Sequence, residues 1–183
     1  MRLWLKIAVV ILVVLVVLIV SVFAAIFFDL ASYTATGSET LNPTGSSVGR
    51  ALVVYDPGVT GAAQGAANQI ASDLQARHYT VDLAGVRSGT AGNTSGYSVI
   101  VAGGPMYFGQ VSSSIDGYLK TLPSNGRLGV FGSTGSGTFS ESDFVSLGKQ
   151  AATDTHNSNI VVELILSGNE TQNCADLVSA LLS

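Results

Sequence analysis

The apolar positions of the chain form one long run near the N-terminus and then several short runs separated by polar, glycine-bearing segments. Residues 7–28 are apolar except for Ser21. At about 1.5 Å of rise per helical residue, such a run extends roughly 33 Å, which matches the hydrocarbon core of a bilayer. The pattern predicts a transmembrane anchor in residues 1–28. A cleaved signal peptide is the alternative, although its apolar core is usually only about 7–15 residues long.

The segment after this run has a different composition. Residues 29–49 are rich in Ser, Thr and Gly, which predicts a flexible linker. Arg2 and Lys6 precede the apolar run, Asp29 and Glu39 follow it, and the next basic residue is Arg50. The positive-inside rule then places the N-terminus in the cytoplasm. We therefore expect a single-pass membrane protein whose domain, residues 50–183, is extracytoplasmic.

From residue 50 onward, short apolar runs alternate with segments whose apolar residues recur every three or four positions. The runs typical of buried strands are residues 51–55, 79–84, 97–102, 128–131 and 159–166. The segments typical of amphipathic helices are residues 62–77, 111–122, 140–152 and 171–182. This alternation predicts an α/β fold, with five parallel strands and helices on both faces of the sheet.

Charge and composition narrow the chemistry. Residues 50–183 hold six Lys or Arg and ten Asp or Glu without a basic cluster, so nucleic acid is not an expected partner. Cys174 is the only cysteine, which excludes an internal disulfide and a cysteine-ligated iron–sulfur cluster. His78 and His156 are far apart in sequence, so we expect no metal site. No Ser/His/Asp or paired-carboxylate pattern is present, and we assign no catalytic residue.

Three loops rich in Gly, Ser and Thr follow the first, third and fourth predicted strands. In a parallel sheet these loops emerge at one edge, where ligands of such sheets bind. The first loop, residues 56–61, leads directly into a helix, and backbone N–H groups at a helix start suit an anion such as phosphate. The alternative is a turn in which the glycines serve backbone geometry alone.

Three segments, residues 53–61, 99–109 and 128–135, together resemble the flavodoxin family. The middle segment is the most specific, because a buried strand followed by Gly-x-Pro-x-Tyr-x-Gly is similar to flavodoxins and to flavodoxin-like quinone-linked oxidoreductases. The resemblance covers residues 50–183. It implies the strand order 2-1-3-4-5 and a non-covalently bound FMN that carries electrons singly or in pairs.

The resemblance also implies which residues contact FMN. The implied phosphate loop comprises Gly58, Val59, Thr60, Gly61, Ala62 and Ala63. The implied flavin loops comprise Gly104, Pro105, Met106, Tyr107, Phe108, Gly109, Ser133, Thr134 and Gly135. Tyr107 is the candidate for stacking on the isoalloxazine ring, and the alternative is an aromatic packed against a helix. Met106 and Phe108 are expected to flank the site or to pack structurally.

The phosphate loop departs from the family pattern, which is roughly Ser/Thr-x-Thr-Gly-Asn-Thr. Thr60 and Gly61 match, whereas Gly58, Ala62 and Ala63 lack side-chain donors. A hydrogen bond to a charged group contributes about 1.5–3 kcal/mol. Three missing donors would therefore weaken binding by several kcal/mol, on the order of 10³-fold. Gln64 is a candidate replacement donor.

Two functions of different classes follow. The first is a membrane-tethered electron-transfer protein that uses FMN and exchanges electrons with a redox protein or a quinone. The alternative is a flavin-free flavodoxin-like scaffold that binds proteins outside the membrane. If the protein is an enzyme, we expect an FMN-dependent oxidoreductase.

Overall fold

A computed structural model describes residues 2–32, 35–123, 126–134, 138–157, 159–166 and 169–183. The chain begins with helix α1, Arg2–Ser32. Within α1, Lys6–Ile26 is long and apolar enough to cross a membrane, and it is not buried against the rest of the protein. A signal sequence near the N-terminus would meet the same criterion of length and composition.

The remaining helices and strands alternate along the chain. In order they are β1 (Ser38–Leu41), β2 (Gly49–Tyr55), α2 (Ala62–Ala76), β3 (Tyr79–Gly85), β4 (Val99–Tyr107), β5 (Gln110–Val111), α3 (Ser113–Leu119), β6 (Arg127–Thr134), α4 (Glu141–Thr155), β7 (Ile160–Leu166) and α5 (Glu170–Leu182).

The predicted α/β class is confirmed, but the predicted count of five strands is wrong. The described residues form a seven-stranded sheet with the order β1-β3-β2-β4-β6-β7, and β5 pairs with β4. Strands β3, β2, β4, β6 and β7 are parallel. The antiparallel edge strand β1 makes the whole order differ from the predicted 2-1-3-4-5.

Strand β1 lies in the segment whose composition predicts a linker. It pairs with β3 from Ser38 opposite Ala84 to Leu41 opposite Val81. The Thr40 hydroxyl donates a hydrogen bond of 2.5 Å to the Asp82 carboxylate. A mostly exposed strand of four residues has no apolar pattern of its own, so its pairing with β3 determines its structure.

The core has two layers, one on each face of the sheet. Alternate residues of β2 point to opposite layers, as the pleat of a strand requires. Val53 joins the layer covered by α2 and α5, and Leu52 joins the layer covered by α3 and α4. Helix α2 buries Ala66, Ile70 and Leu74, which share one helical face. The prediction of helices on both faces is confirmed.

Strand β4 is longer than predicted, because it continues through the Gly103-Gly104-Pro105 sequence to Tyr107. Its pairing with β2 ends at Gly103, opposite Tyr55. Pro105 therefore lies beyond the last residue of β4 that pairs with β2, so no N–H is needed there for a hydrogen bond to β2. On its other side, Pro105 pairs with Ser133 of β6.

Candidate functional site

The predicted site residues that the structure describes lie at the edge where the parallel strands end, which we call the carboxyl edge. It is defined by Tyr55, Gly85, Tyr107, Thr134 and Leu166, the last residues of β2, β3, β4, β6 and β7. The structure brings residues from all three predicted loops together there. A Cβ on Gly58 would lie 2.9 Å from Cγ of Pro105. The Ser133 hydroxyl donates a hydrogen bond of 3.4 Å to the Gly104 carbonyl.

The first loop turns through two glycines in the left-handed region. The φ angles of Gly58 and Gly61 are +65° and +74°, which a residue with a side chain rarely adopts. Helix α2 begins directly afterwards at Ala62, so the N–H groups of its first turn point toward the carboxyl edge. The Thr60 hydroxyl accepts a hydrogen bond of 3.4 Å from the Ala62 N–H.

Two members of this loop contribute little side-chain chemistry. Ala63 is buried in the core, so it can meet a ligand only through its backbone. Val59 is 61% exposed and points away from the core. The anion-binding capacity of the loop therefore rests on backbone N–H groups, the Thr60 hydroxyl and the helix dipole.

A buried carboxylate lies directly beside this loop. Asp56 is fully buried, and its carboxylate accepts hydrogen bonds from the Gly58 N–H at 3.2 Å and the Ser112 hydroxyl at 2.8 Å. The Ser114 hydroxyl donates to the same carboxylate. The sequence predicts no site role for these residues; the signals that could have indicated one are an Asp directly after a strand and a Ser-rich helix start.

The second loop is a tight hairpin between β4 and β5. Tyr107 pairs with Gln110, so Phe108 and Gly109 are the two turn residues. Gly104 and Pro105 are buried, Met106, Tyr107 and Gly109 are half-buried, and Phe108 is 86% exposed. Met106 packs over Gly132, where an added Cβ would lie 2.3 Å from the Met106 sulfur. The hairpin itself was not predicted from the sequence.

The third loop is described only at its start. Ser133 is buried and Thr134 is half-buried at the end of β6. Gly135 lies outside the described residues, so its predicted contact has no structural counterpart here.

A groove of about 600 Å³ runs beside the hairpin between α3 and α4. The Gln150 side chain joins its walls by accepting from the Val111 N–H and donating to Asp116. Lys120 forms an ion pair of 2.6 Å with Asp116. Burial raises the pKa of Asp154, and its hydrogen bond with Asp116 adds to the rise. Within the described residues, no cluster of His, Cys, Asp and Glu could hold a metal ion.

The carboxyl edge offers different groups to the ring of FMN and to its phosphate. Tyr107 is half-buried at the end of β4, and an aromatic side chain at this place suits a flat aromatic ligand. At the phosphate end, the available donors are the N–H groups at the start of α2 and the Thr60 hydroxyl, because the Gly58 N–H already donates to Asp56. These donors and the aromatic side chain of Tyr107 are compatible with FMN.

Comparison with known proteins identifies the fold. No family model matches the chain, and no curated protein matches its sequence. Oxidised flavodoxin 2 from Bacillus cereus matches 73% of this chain and 97% of its own, with a TM-score of 0.53 and 16% identity. The Streptococcus pneumonia TIGR4 flavodoxin matches the same shares, with a TM-score of 0.51 and 20% identity.

A third structure is a short-chain flavodoxin associated with a non-canonical PDU bacterial microcompartment. It matches 73% of this chain and 95% of its own, with a TM-score of 0.51 and 13% identity. At such low identities the likeness concerns the fold alone. The chain therefore combines a flavodoxin-like α/β fold with an apolar N-terminal helix.

Proposed function

We propose that the chain is a membrane-tethered electron-transfer protein that binds FMN non-covalently at its carboxyl edge. The observation that carries the proposal is the meeting of the Gly58 turn, the Gly104–Pro105 segment and Ser133 at that edge of a flavodoxin-like fold. When bound, FMN would supply one- and two-electron redox chemistry. The protein's share is to bind and orient the ring and to control the access of water.

Each group of residues has a distinct role in the proposal. The N–H groups at the start of α2 and the Thr60 hydroxyl hold the phosphate. Tyr107 stacks on the isoalloxazine ring, while Ser133 and Thr134 border its polar edge. Met106 supports the hairpin by packing on Gly132 rather than by touching the ligand.

The tether belongs to the same proposal. Helix α1 spans the membrane through Lys6–Ile26, and Arg2 and Lys6 keep the N-terminus in the cytoplasm. The domain is then extracytoplasmic, and its redox partner is a quinone or a membrane-bound redox protein. Tethering raises the effective concentration of the site near such partners. Protease added to intact cells should remove the domain.

One observation favours the flavin-free scaffold as a second candidate. The Asp56 carboxylate occupies the Gly58 N–H and places a negative charge beside the phosphate loop. Gly58, Ala62 and Ala63 offer no side-chain donor to compensate. Under this alternative, the carboxyl edge binds another protein instead of a cofactor.

The test is a pair of titrations on the full chain purified in detergent. The protein as isolated is examined for a flavin spectrum, stripped of any flavin, and then titrated with FMN and with riboflavin, whose fluorescence reports binding. The proposal expects both to bind, with FMN only about tenfold tighter, because the ring dominates and the phosphate adds about 1.4 kcal/mol. Failure of both ligands to bind would favour the scaffold.

A further inference from the structure

The chain reaches the domain at the carboxyl edge. The Arg87 N–H donates to the Ala35 carbonyl at 2.9 Å, and the Gly85 N–H donates to the Gly37 carbonyl at 2.8 Å. Strand β1 then runs antiparallel to β3, away from that edge. The end of β3 is thus where the segment that follows the anchor helix joins the domain, and α1 itself also contacts α3.

Covalent geometry limits how far this point can lie from a membrane. Helix α1 ends at Ser32, and the three steps from Ser32 to Ala35 cover at most about 11 Å. The helical part between Ile26, the end of the apolar span, and Ser32 adds about 9 Å. The carboxyl edge is therefore held within about 20 Å of the span. The opposite edge is about 20 Å further along the strands, as the length of β2 shows.

Exposed apolar side chains are concentrated at the same edge. Val59 follows β2, Phe108 follows β4, and Phe144 lies in the first turn of α4 after β6. Their exposed fractions are 61%, 86% and 46%. Among the described residues at the opposite edge, Val48 is the large apolar residue with a comparable exposed fraction, 67%. Three exposed apolar side chains from separate segments at one edge of the sheet give this edge an apolar surface that an apolar partner can cover.

We infer that the carboxyl edge faces the lipid bilayer, with Phe108 and Val59 entering its interfacial layer. The inference rests on the tethering by α1 that the proposed function includes. The occupant is the bilayer because the tether attaches at this edge and keeps it within about 20 Å of the apolar span, whereas the opposite edge is one strand length further from the attachment point. Aromatic side chains favour the interfacial region. Glu141 and Asp143 lie beside this surface, so its charge suits zwitterionic lipid better than anionic lipid.

One consequence concerns the redox partner. A carboxyl edge that rests on the bilayer opens the proposed FMN site toward molecules dissolved in the lipid. The substrate class that the geometry favours is therefore a lipid-soluble electron carrier.

The test uses two matched cysteine variants, Val59→Cys and Val48→Cys, in the full chain. Both positions hold an exposed valine, and they lie at opposite edges of the sheet. Each variant is labelled with an environment-sensitive fluorophore and reconstituted into phosphatidylcholine vesicles that carry nitroxide-labelled lipid. Cys174 is fully buried, and wild-type protein treated with the label measures its background. A third variant, Phe144→Cys, probes the same edge outside the residues implied for FMN.

We expect the nitroxide lipid to quench the labels at positions 59 and 144 at least threefold more strongly than the label at position 48. Equal quenching at positions 59 and 48 would overturn the inference. It would not bear on the proposal that the wild-type chain binds FMN, which the titration in detergent tests separately. Extraction of the full chain from vesicles by alkaline carbonate would refute the tether and this inference together. In that case the FMN titration still decides the cofactor part of the proposed function by itself.

Discussion

The carboxylate of Asp56 accepts a hydrogen bond of 2.8 Å from the hydroxyl of Ser112, which lies 56 residues further along the chain. Asp56 follows the end of β2, and Ser112 precedes the start of α3. An added Cβ on Gly104 would lie 3.2 Å from Cβ of Asp56 and 3.2 Å from Oγ of Ser112. This contact therefore fixes the first loop against the strand and the helix that carry the second loop.

The first prediction concerns Asp56→Ala. The substitution removes the acceptor for the Ser112 hydroxyl and the Gly58 N–H inside a fully buried site. Hydrogen bonds to a charged group contribute about 1.5–3 kcal/mol each, and a buried donor left without a partner is costly. We expect the free energy of unfolding to fall by about 3 kcal/mol. Urea unfolding of the full chain in detergent, followed by circular dichroism, measures it.

The matched control is Asp176→Ala, which removes an exposed aspartate that accepts a hydrogen bond from Gln172, one turn earlier on α5. Its effect should stay within about 0.5 kcal/mol, as is usual for surface positions. If Asp56→Ala were no more destabilising than Asp176→Ala, the Asp56–Ser112 contact would have no stabilising role.

Much of the fold could be predicted because it is encoded locally. The apolar run of β2 and the four-residue spacing of Ala66, Ile70 and Leu74 in α2 specify a buried strand and an amphipathic helix. The alternation of such segments is sufficient to predict a parallel α/β sheet. Strand β1 could not be predicted this way, because its four residues are held by pairing with β3 and by the Thr40–Asp82 hydrogen bond.

The candidate site was predictable at the level of its loops. Glycines at positions 58, 61 and 104 mark turns and close approaches, and the structure brings their loops to one edge. The contact of Asp56 with Ser112 could not be predicted, since no local pattern links residues so distant in sequence. The positive φ angle of Phe108 could not be predicted either. The register of the hairpin imposes this angle on a bulky residue that ordinarily avoids it.

The second prediction concerns the alkaline stability of the domain. Burial raises the pKa of Tyr97 to about 12, and its hydrogen bond to the Asp82 carboxylate adds to the rise. A raised pKa means that the protonated phenol stabilises the folded state below the ordinary value of 10.0. This stabilisation should disappear as the pH rises from 10 toward 12.

Tyr97→Phe is the variant that tests this. It retains the ring but cannot ionise, so its stability should depend less on pH in that window than the wild-type stability does. The difference between the two tyrosinate absorbance titrations gives the pKa of Tyr97 directly. A difference titration centred on the ordinary tyrosine pKa would contradict the role assigned to the Tyr97–Asp82 hydrogen bond.

The third prediction ranks two residues of the proposed FMN site. Tyr107→Ala should weaken FMN binding about tenfold, since an aromatic stack contributes about 0.5–1.5 kcal/mol beyond the burial of its area. Thr60→Ala should weaken it less, because the Thr60 hydroxyl shares with the N–H groups of α2 the roughly 1.4 kcal/mol that the proposal assigns to the whole phosphate. Fluorescence titration of each apo variant measures both. Tyr107→Phe retains the ring and should bind as the wild type does, and equal affinity of Tyr107→Ala would eliminate the stacking role.

The last prediction separates stability from membrane contact at Phe108. Phe108 has a φ angle of +53° and Gly109 one of +78°, the geometry of a two-residue hairpin turn that favours Asn-Gly. A bulky residue in this conformation costs roughly 1–2 kcal/mol. Phe108→Asn should therefore raise the free energy of unfolding by about 1 kcal/mol, whereas Phe144→Asn, on a helix without such strain, should not.

The same substitution should weaken the contact with lipid. Phe108 is the most exposed aromatic side chain at the carboxyl edge, and no described packing explains why a strained turn retains it. In vesicles, Phe108→Asn should reduce the quenching of a label at position 59 by nitroxide lipid at least twofold, although the domain itself is more stable. A variant that is stabilised but equally quenched would show that Phe108 does not hold this edge against the bilayer. A destabilised variant would show that the turn is not strained.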